Sequence, residues 1–201
     1  MDIKMKSLIS LTALPLMLTC KLAFAFPIAD PGTEGLGVVV KQTGSVVATY
    51  LGNSADYSND LYLMLDAFGN PGDDGDTSND LFIFNNHASN IGDTLDLGSF
   101  DAGDELIFRL NVNDTSYQFF TGDSTRNPDG QAHARVQSEW QPGETLVSFE
   151  DLFNGPFDFN DLSFSFTNTR ADIDVPAPAA VTLCLLGLSL LTCRRKNDKR
   201  A

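Results

Sequence analysis

Apolar side chains in the middle of this chain recur at every second position, which is the spacing of a β-strand with one buried face. The clearest run, Leu162–Thr167, alternates apolar residues with serine or threonine, so we expect the apolar side chains inward and the hydroxyls toward solvent. Glu105–Asn113 alternates in the same way. No stretch between residues 26 and 174 sustains a helical stripe. We therefore predict an all-β domain, an antiparallel β-sandwich of jelly-roll type.

Turn-forming residues separate the predicted strands. Two valine-rich runs, Val38–Val40 and Val46–Leu51, predict strands joined by a turn at Thr43–Gly44. An Asn-Asp pair precedes an apolar run three times, at residues 59–60, 79–80 and 160–161. Because Asn and Asp bond to nearby backbone amides, the simplest interpretation of the first pair is that it ends a turn.

The N-terminal segment, residues 1–25, has the composition of a secretory signal peptide. Two lysines are followed by an apolar stretch over 8–18, and Ala23 and Ala25 supply the small residues of a signal peptidase site. We expect signal peptidase to cleave after Ala25, so that the rest of the chain is exported. A retained N-terminal anchor is the alternative, which the short apolar stretch disfavours.

The C-terminal segment, residues 175–201, has three parts: a proline motif, a predicted apolar helix over 179–193 and a basic tail over 194–200. At 1.5 Å per residue the helix would be about 22 Å long, a marginal span for a hydrocarbon core of about 30 Å. The basic tail is expected to stay cytoplasmic, with the domain outside. The residues that define the segment are Val175, Pro176, Pro178, Arg194 and Arg195.

This C-terminal segment resembles the PEP-CTERM sorting signal, although Ala177 stands where that family has glutamate. The resemblance implies processing by an exosortase. It also implies an anchored intermediate in the inner membrane, followed by display at the cell surface or release outside the cell. Association with extracellular polysaccharide and biofilm is a further implication of the family. An ordinary tail anchor is the alternative.

The charge of the predicted exported domain excludes some classes of partner. Of the 27 acidic and 13 basic residues, 2 acids and 8 bases lie in the terminal segments, which leaves 25 acids, 5 bases and a net charge of about −20 for residues 26–174. Such a charge disfavours binding to nucleic acid or to anionic lipid surfaces. All three cysteines lie in the terminal segments, so no disulfide can stabilise this domain.

Possible metal ligands are densest between residues 150 and 161. Gly155–Pro156 is expected to turn the chain back, so that acidic side chains before and after the turn approach each other. A hard cation would relieve their repulsion, and Ca²⁺ prefers carboxylate and amide oxygens. The alternative is a solvated acidic hairpin whose side chains cap backbone amides. The candidate ligands are Glu150, Asp151, Asp158, Asn160 and Asp161.

The same stretch resembles a bacterial domain-of-unknown-function family with the pattern E-D-L, a glycine turn and D-[YF]-N-D-L, matched here from Glu150 to Leu162. The resemblance implies no established activity. A second acidic loop, residues 70–80, could hold a cation through alternating side chains, but its Gly and Asp content favours an ordinary turn.

No catalytic group of residues is recognisable, so we predict that the protein is not an enzyme. The two histidines, His87 and His133, lack the spacing of a zinc site. The sequence thus predicts an exported structural or binding module at the cell surface or in the extracellular matrix, stabilised by Ca²⁺. Two alternatives remain: a carbohydrate-binding module in which Trp140 and exposed tyrosines contact sugar, and a secreted hydrolase that uses a pair of carboxylates.

Overall fold

The computed structural model describes residues 25–172, so the predicted sorting segment and, apart from Ala25, the predicted signal peptide lie outside the described residues. The described part is all-β with antiparallel sheets, as predicted. Its only helix is the short 3-10 turn Ser124–Arg126, and no helix within this part is long and apolar enough to cross a membrane. The strands are β1 (Val38–Val40), β2 (Gly44–Asn53), β3 (Asn59–Leu63), β4 (Leu81–Asn85), β5 (Thr94–Phe100), β6 (Glu105–Leu106), β7 (Phe108–Val112), β8 (Gln118–Phe120), β9 (Ala134–Gln141), β10 (Glu144–Phe149), β11 (Leu162–Thr167) and β12 (Thr169–Ala171).

The strands form three sheets. The largest has five strands in the order β5-β2-β11-β10-β9, the second has four in the order β4-β3-β7-β8, and a small sheet has the order β12-β1-β6. The alternating strands put one face of each larger sheet into a shared core, as the period-two pattern requires. Aromatic rings join the two sheets: Phe108 stacks on Phe166 at 4.1 Å, and Phe84 lies 6.2 Å from Phe164. Each such side chain contributes roughly 1.5–3 kcal/mol by burial.

Both valine-rich runs form strands as predicted, but one detail of the other predicted strands is wrong. Val38–Val40 pairs with β12 and β6 in the small sheet, while the strand that follows it lies in the five-stranded sheet. The alternating run Glu105–Asn113 is interrupted at Ile107, and its two halves belong to different sheets. The apolar pattern identified strands in both regions, and a pattern of burial does not say which neighbour a strand pairs with.

The hydroxyls of β11 do not face solvent as predicted. Ser163 and Ser165 are buried because β11 lies inside the five-stranded sheet and its outer face is covered. The Ser163 hydroxyl lies 2.9 Å from that of Ser148, which accepts a hydrogen bond from the backbone N–H of Ala29. The residues that follow Ala25 therefore pack on the outer face of this sheet.

A buried ion pair fixes the second acidic loop to the four-stranded sheet. Arg109 donates to the Asp80 carboxylate at 2.7 Å, and both side chains are almost fully buried. Asp80 also accepts from the Leu65 backbone N–H at 3.0 Å. Such charges are tolerated inside a protein only when they are paired and hydrogen-bonded, as this pair is.

Candidate metal centre

The candidate metal centre lies in the connection between β10 and β11. These strands pair in antiparallel register up to Phe149 and Leu162, so the residues next to that last pair come close in space. The Asp161 backbone N–H donates to the Phe149 carbonyl at 3.2 Å. Glu150 and Asp151, which follow the end of β10, therefore lie beside Asp161, which precedes β11. The predicted turn at Gly155 is present, with a positive φ of 76°.

Three carboxylates meet at this point. Oxygen atoms of Glu150, Asp151 and Asp161 all lie within 4.8 Å of one another. Glu150 and Asp151 are buried, and Asp161 keeps partial exposure. An Asp161 oxygen accepts a hydrogen bond from the Asp151 backbone N–H at 2.7 Å, which holds the two residues together. This acidic cluster, Glu150, Asp151 and Asp161, contains three of the five predicted ligands.

The surroundings of the cluster oppose ionisation of its carboxyls. Burial, and then the nearby carboxylates, raise the pKa of Asp161 from its ordinary value of 3.8 to about 8. Burial also raises the pKa of Glu150 and of Asp151. Without a cation, the folded protein therefore keeps a proton within the Asp151–Asp161 pair at neutral pH. A divalent cation could replace that proton and let all three carboxyls ionise.

Two buried oxygens at the cluster lack any hydrogen-bond partner among the described residues. They are Oε2 of Glu150 and Oδ1 of Asn59, and both residues are fully buried. An unpartnered acceptor of this kind costs about 1–3 kcal/mol unless a missing group satisfies it. Oxygen atoms without donors are groups that a hard cation can coordinate, so these two atoms could serve as ligands.

Asn59 connects the cluster to the opposite sheet. Its Nδ2 donates to an Asp151 oxygen at 2.7 Å, and its backbone pairs with Asn86 through hydrogen bonds of 2.8 and 3.1 Å. Asn59 begins β3 of the four-stranded sheet, whereas Asp151 follows β10 of the five-stranded sheet. Asn59 was not among the predicted ligands. The available signal was the Asn-Asp pattern that it shares with residues 160–161.

The other two predicted ligands lie outside the cluster. Asp158 is exposed, and its carboxylate accepts a hydrogen bond from Asn160 Nδ2 at 2.7 Å. The side-chain oxygen of Asn160 accepts from the Ser54 hydroxyl at 2.6 Å. Asp158 is still near enough for its charge to raise the pKa of Glu150, after burial. Asp158 and Asn160 thus use their polar atoms locally, within the loop and with Ser54.

A buried histidine contacts the backbone of the cluster at Glu150. His133 Nδ1 lies 2.9 Å from the Glu150 carbonyl oxygen and Nε2 lies 2.9 Å from the Asp129 carboxylate. The imidazole also stacks on Phe119, with ring centres 3.7 Å apart. His133 therefore fixes the backbone at Glu150 while its ring nitrogens face away from solvent, which agrees with a structural histidine.

The backbone of the loop is strongly constrained. Asn154, Phe157 and Phe159 have positive φ values of 62°, 61° and 56°. This conformation is uncommon for an aromatic residue and costs of order 1–3 kcal/mol at each position. Phe159 is held there because its ring is buried and lies under the Arg135 guanidinium at 4.2 Å.

The remaining candidates lie elsewhere and act locally. In the second acidic loop, Asp73, Asp74 and Asp76 each accept the backbone N–H two residues ahead at 2.8–2.9 Å, which is the turn chemistry expected there. His87 is exposed and its backbone bonds to Asn85. Trp140 is half-buried in β9, the edge strand of the five-stranded sheet.

Comparison of the chain with protein-family models, with curated proteins and with solved structures finds no match. The resemblance of the C-terminal segment to a sorting signal, and that of the acidic loop to a domain family, therefore stay predictions.

Proposed function

We propose that this protein is an exported, non-enzymatic module of the cell surface or extracellular matrix, whose fold is completed by Ca²⁺ outside the cell. We further propose that its domain is a β-sandwich of jelly-roll type. The signal peptide, the exosortase-dependent sorting and the membrane-anchored intermediate belong to this proposal and rest on the terminal sequences.

The observation that carries the cation proposal is the acidic cluster with its unpartnered oxygen. Three carboxylates within 4.8 Å of one another create a repulsion that a divalent cation would relieve. Oε2 of Glu150 is buried and accepts no hydrogen bond, which leaves this oxygen able to coordinate a metal ion. Because Asn59 comes from the other sheet, a bound cation would join the two sheets through Asp151 and Asn59. Its role would therefore be structural.

The chemistry of the donors favours calcium among the common cations. Every candidate donor is an oxygen, and no sulfur or imidazole nitrogen belongs to the cluster, as a zinc site would require. Magnesium demands a near-ideal octahedron and usually keeps several waters, whereas calcium accepts irregular sets of six to eight oxygens. A buried, asymmetric cluster suits calcium better.

The test is thermal unfolding of the full chain in mild detergent, with calcium, with magnesium and with chelator, followed by the fluorescence of the single tryptophan, Trp140. Extracellular calcium modules bind with dissociation constants of about 10⁻⁴–10⁻³ M, so 10 mM calcium should stabilise by about 1–3 kcal/mol. For a domain of this size that is a rise of roughly 5–10 °C in melting temperature.

Two variants make the test specific. Glu150→Gln removes the charge of the unpartnered carboxylate and should abolish the calcium-dependent rise. Asp158→Asn removes an exposed charge from the same loop and should keep the rise. If calcium produces no rise, or if magnesium produces an equal one, the proposed calcium site is wrong.

A further inference from the structure

The outer face of the four-stranded sheet is partly exposed to solvent. Its inner face is formed by Leu61, Leu63, Phe108 and Leu110, all fully buried in the core. On the outer face Phe82 is 47% exposed and Tyr62 and Asn111 are partly exposed, whereas Arg109 is buried beneath its ion pair with Asp80. The four strands therefore present partly exposed side chains on both sides of Arg109 to a ligand.

An aromatic row crosses this outer face. The strand register places Phe82 beside Tyr62, Tyr62 beside Arg109 and Arg109 beside Phe120. Phe82 and Tyr62 are in edge contact, with ring centres 5.5 Å apart, and the Arg109 guanidinium lies 4.5 Å from the Tyr62 ring centre. The row thus presents apolar ring faces, and contacts with neighbouring side chains fix the positions of these rings.

A row of amide and carboxyl groups lies parallel to the aromatic row, two residues away along each of three strands. Its members are Asn85, Asp60, Asn111 and Gln118, one from each strand of the sheet. Asn85 Nδ2 donates to Asp60 at 2.7 Å, and Asn111 Nδ2 donates to the neighbouring Asn113 at 2.7 Å. Asn113 in turn donates to Asp60 at 3.0 Å. These bonds hold the planar groups in fixed directions before any ligand binds, which lowers the entropic cost of binding.

The face continues into a groove of about 430 Å³ beyond β8. Gln118 and Phe120, the last members of the two rows, both line this groove together with Asn127 and Pro128. At about 4.8 Å per strand, the four strands span about 14 Å, and the groove lengthens the surface further. The surface is therefore long and shallow, with aromatic groups along one side and hydrogen-bonding groups along the other.

We propose that this outer face and its groove bind a neutral polysaccharide chain. The C–H faces of a sugar ring pack on aromatic rings, and its hydroxyls both donate and accept hydrogen bonds, as planar amides and carboxylates require. The ligand is neutral because both cations of this surface are already paired: Arg109 is buried and neutralised by Asp80, and Arg126 of the groove is neutralised by Glu105. An anionic chain would meet Asp60 and a domain of strongly negative charge.

The polysaccharide surface shares no residue with the acidic cluster, so this inference does not depend on the proposed cation. It also lies apart from Trp140, which is in the other large sheet.

The test is affinity electrophoresis of the full chain in mild detergent with calcium present. The probes are three neutral polysaccharides, namely a soluble β-glucan, dextran and a galactomannan, and the anionic polysaccharide alginate. We expect at least one neutral probe to retard the protein and alginate not to do so. Phe82→Ala and Asn111→Ala should each weaken that binding about tenfold, the loss typical of a central contact, while Phe82→Tyr should retain it.

Phe68→Ala is the matched control, because it removes another phenylalanine, 90% exposed and outside the two rows. Asp161→Asn alters the acidic cluster alone, and both variants should bind like the wild type. Absence of retardation by all three neutral probes would overturn the proposal. So would binding that Phe82→Ala leaves unchanged, or binding that Phe68→Ala weakens equally.

Discussion

Replacing Asp161 by asparagine should stabilise the protein in chelator and remove its response to calcium. The amide has the shape of the carboxyl but carries no charge, and its oxygen can still accept the 2.7 Å hydrogen bond from the Asp151 backbone. Its NH₂ group adds a donor beside the two remaining carboxylates. A substitution at a metal ligand would then increase the stability of the metal-free fold, which is the opposite of its effect on the calcium-bound fold.

The size of the stabilisation by Asp161→Asn follows from the proton that the metal-free fold must keep. The pKa of Asp161 is about 8 in the folded protein and 3.8 ordinarily. At pH 7 the unfolded chain releases this proton and the folded chain holds it between Asp161 and Asp151, which costs on the order of 2–4 kcal/mol once the partial exposure of Asp161 is allowed for. Asparagine relieves this cost, so the melting temperature in chelator should rise by roughly 5–15 °C.

The pH dependence has a defined sign. Because the folded pKa of this acid lies above its unfolded value, the cost is absent below about pH 4, grows as pH rises and is complete near pH 8. In chelator, the stability difference between Asp161→Asn and wild type should therefore widen from pH 4 to pH 8. The stabilisation of the wild type by calcium should grow over the same window.

Thermal unfolding of both proteins at several pH values, with and without calcium, measures all of these effects. Asp158→Asn is the matched control, because it removes a charge from the same loop at an exposed position; it should change the stability in chelator much less than Asp161→Asn and keep the calcium response. The reasoning is refuted if Asp161→Asn melts below the wild type in chelator, or if it keeps the calcium-dependent rise.

Three further predictions concern other contacts, and each is measured by denaturant unfolding or calcium titration. Asp80→Asn leaves Arg109 buried without its counter-charge and should cost about 3–5 kcal/mol, so a loss below 1 kcal/mol would show that the pair is hydrated. Phe166→Ala removes the ring stacked on Phe108 and should cost about 3–5 kcal/mol; an unchanged midpoint would mean that this core is not formed. Asn59→Ala should weaken calcium binding about tenfold while calcium still stabilises, and an unaltered affinity would exclude Asn59 as a ligand.

The all-β class could be predicted because its cause is local. The alternation in Phe108–Val112 and Leu162–Thr167 is a direct consequence of one face meeting a core. The exposure of the opposite face was not predictable in the same way. Ser163 is buried because Ala29, far away in the chain, bonds to its neighbour Ser148. A short polar side chain on a strand fits either a solvated face or a covered one.

The candidate site was predictable in part for a similar reason. Glu150, Asp151 and Asp161 flank a hairpin, so their proximity follows from local pairing. Asn59 reaches the cluster through the packing of two sheets, which no local pattern encodes. Asp158 and Asn160 fit the pattern of ligands equally well in the sequence, but positive φ values in the loop direct their side chains to other partners.

The small sheet has a consequence for how the chain folds. Its central strand, Val38–Val40, pairs on one side with Thr169–Ala171, from the opposite end of the described chain. Pairings so distant in sequence raise the contact order, and domains dominated by them fold in milliseconds to seconds. The first described strand therefore cannot pair until the last one is available. A chain that emerges from a ribosome or a membrane pore N-terminus first completes the described domain only when residues 169–171 have passed through.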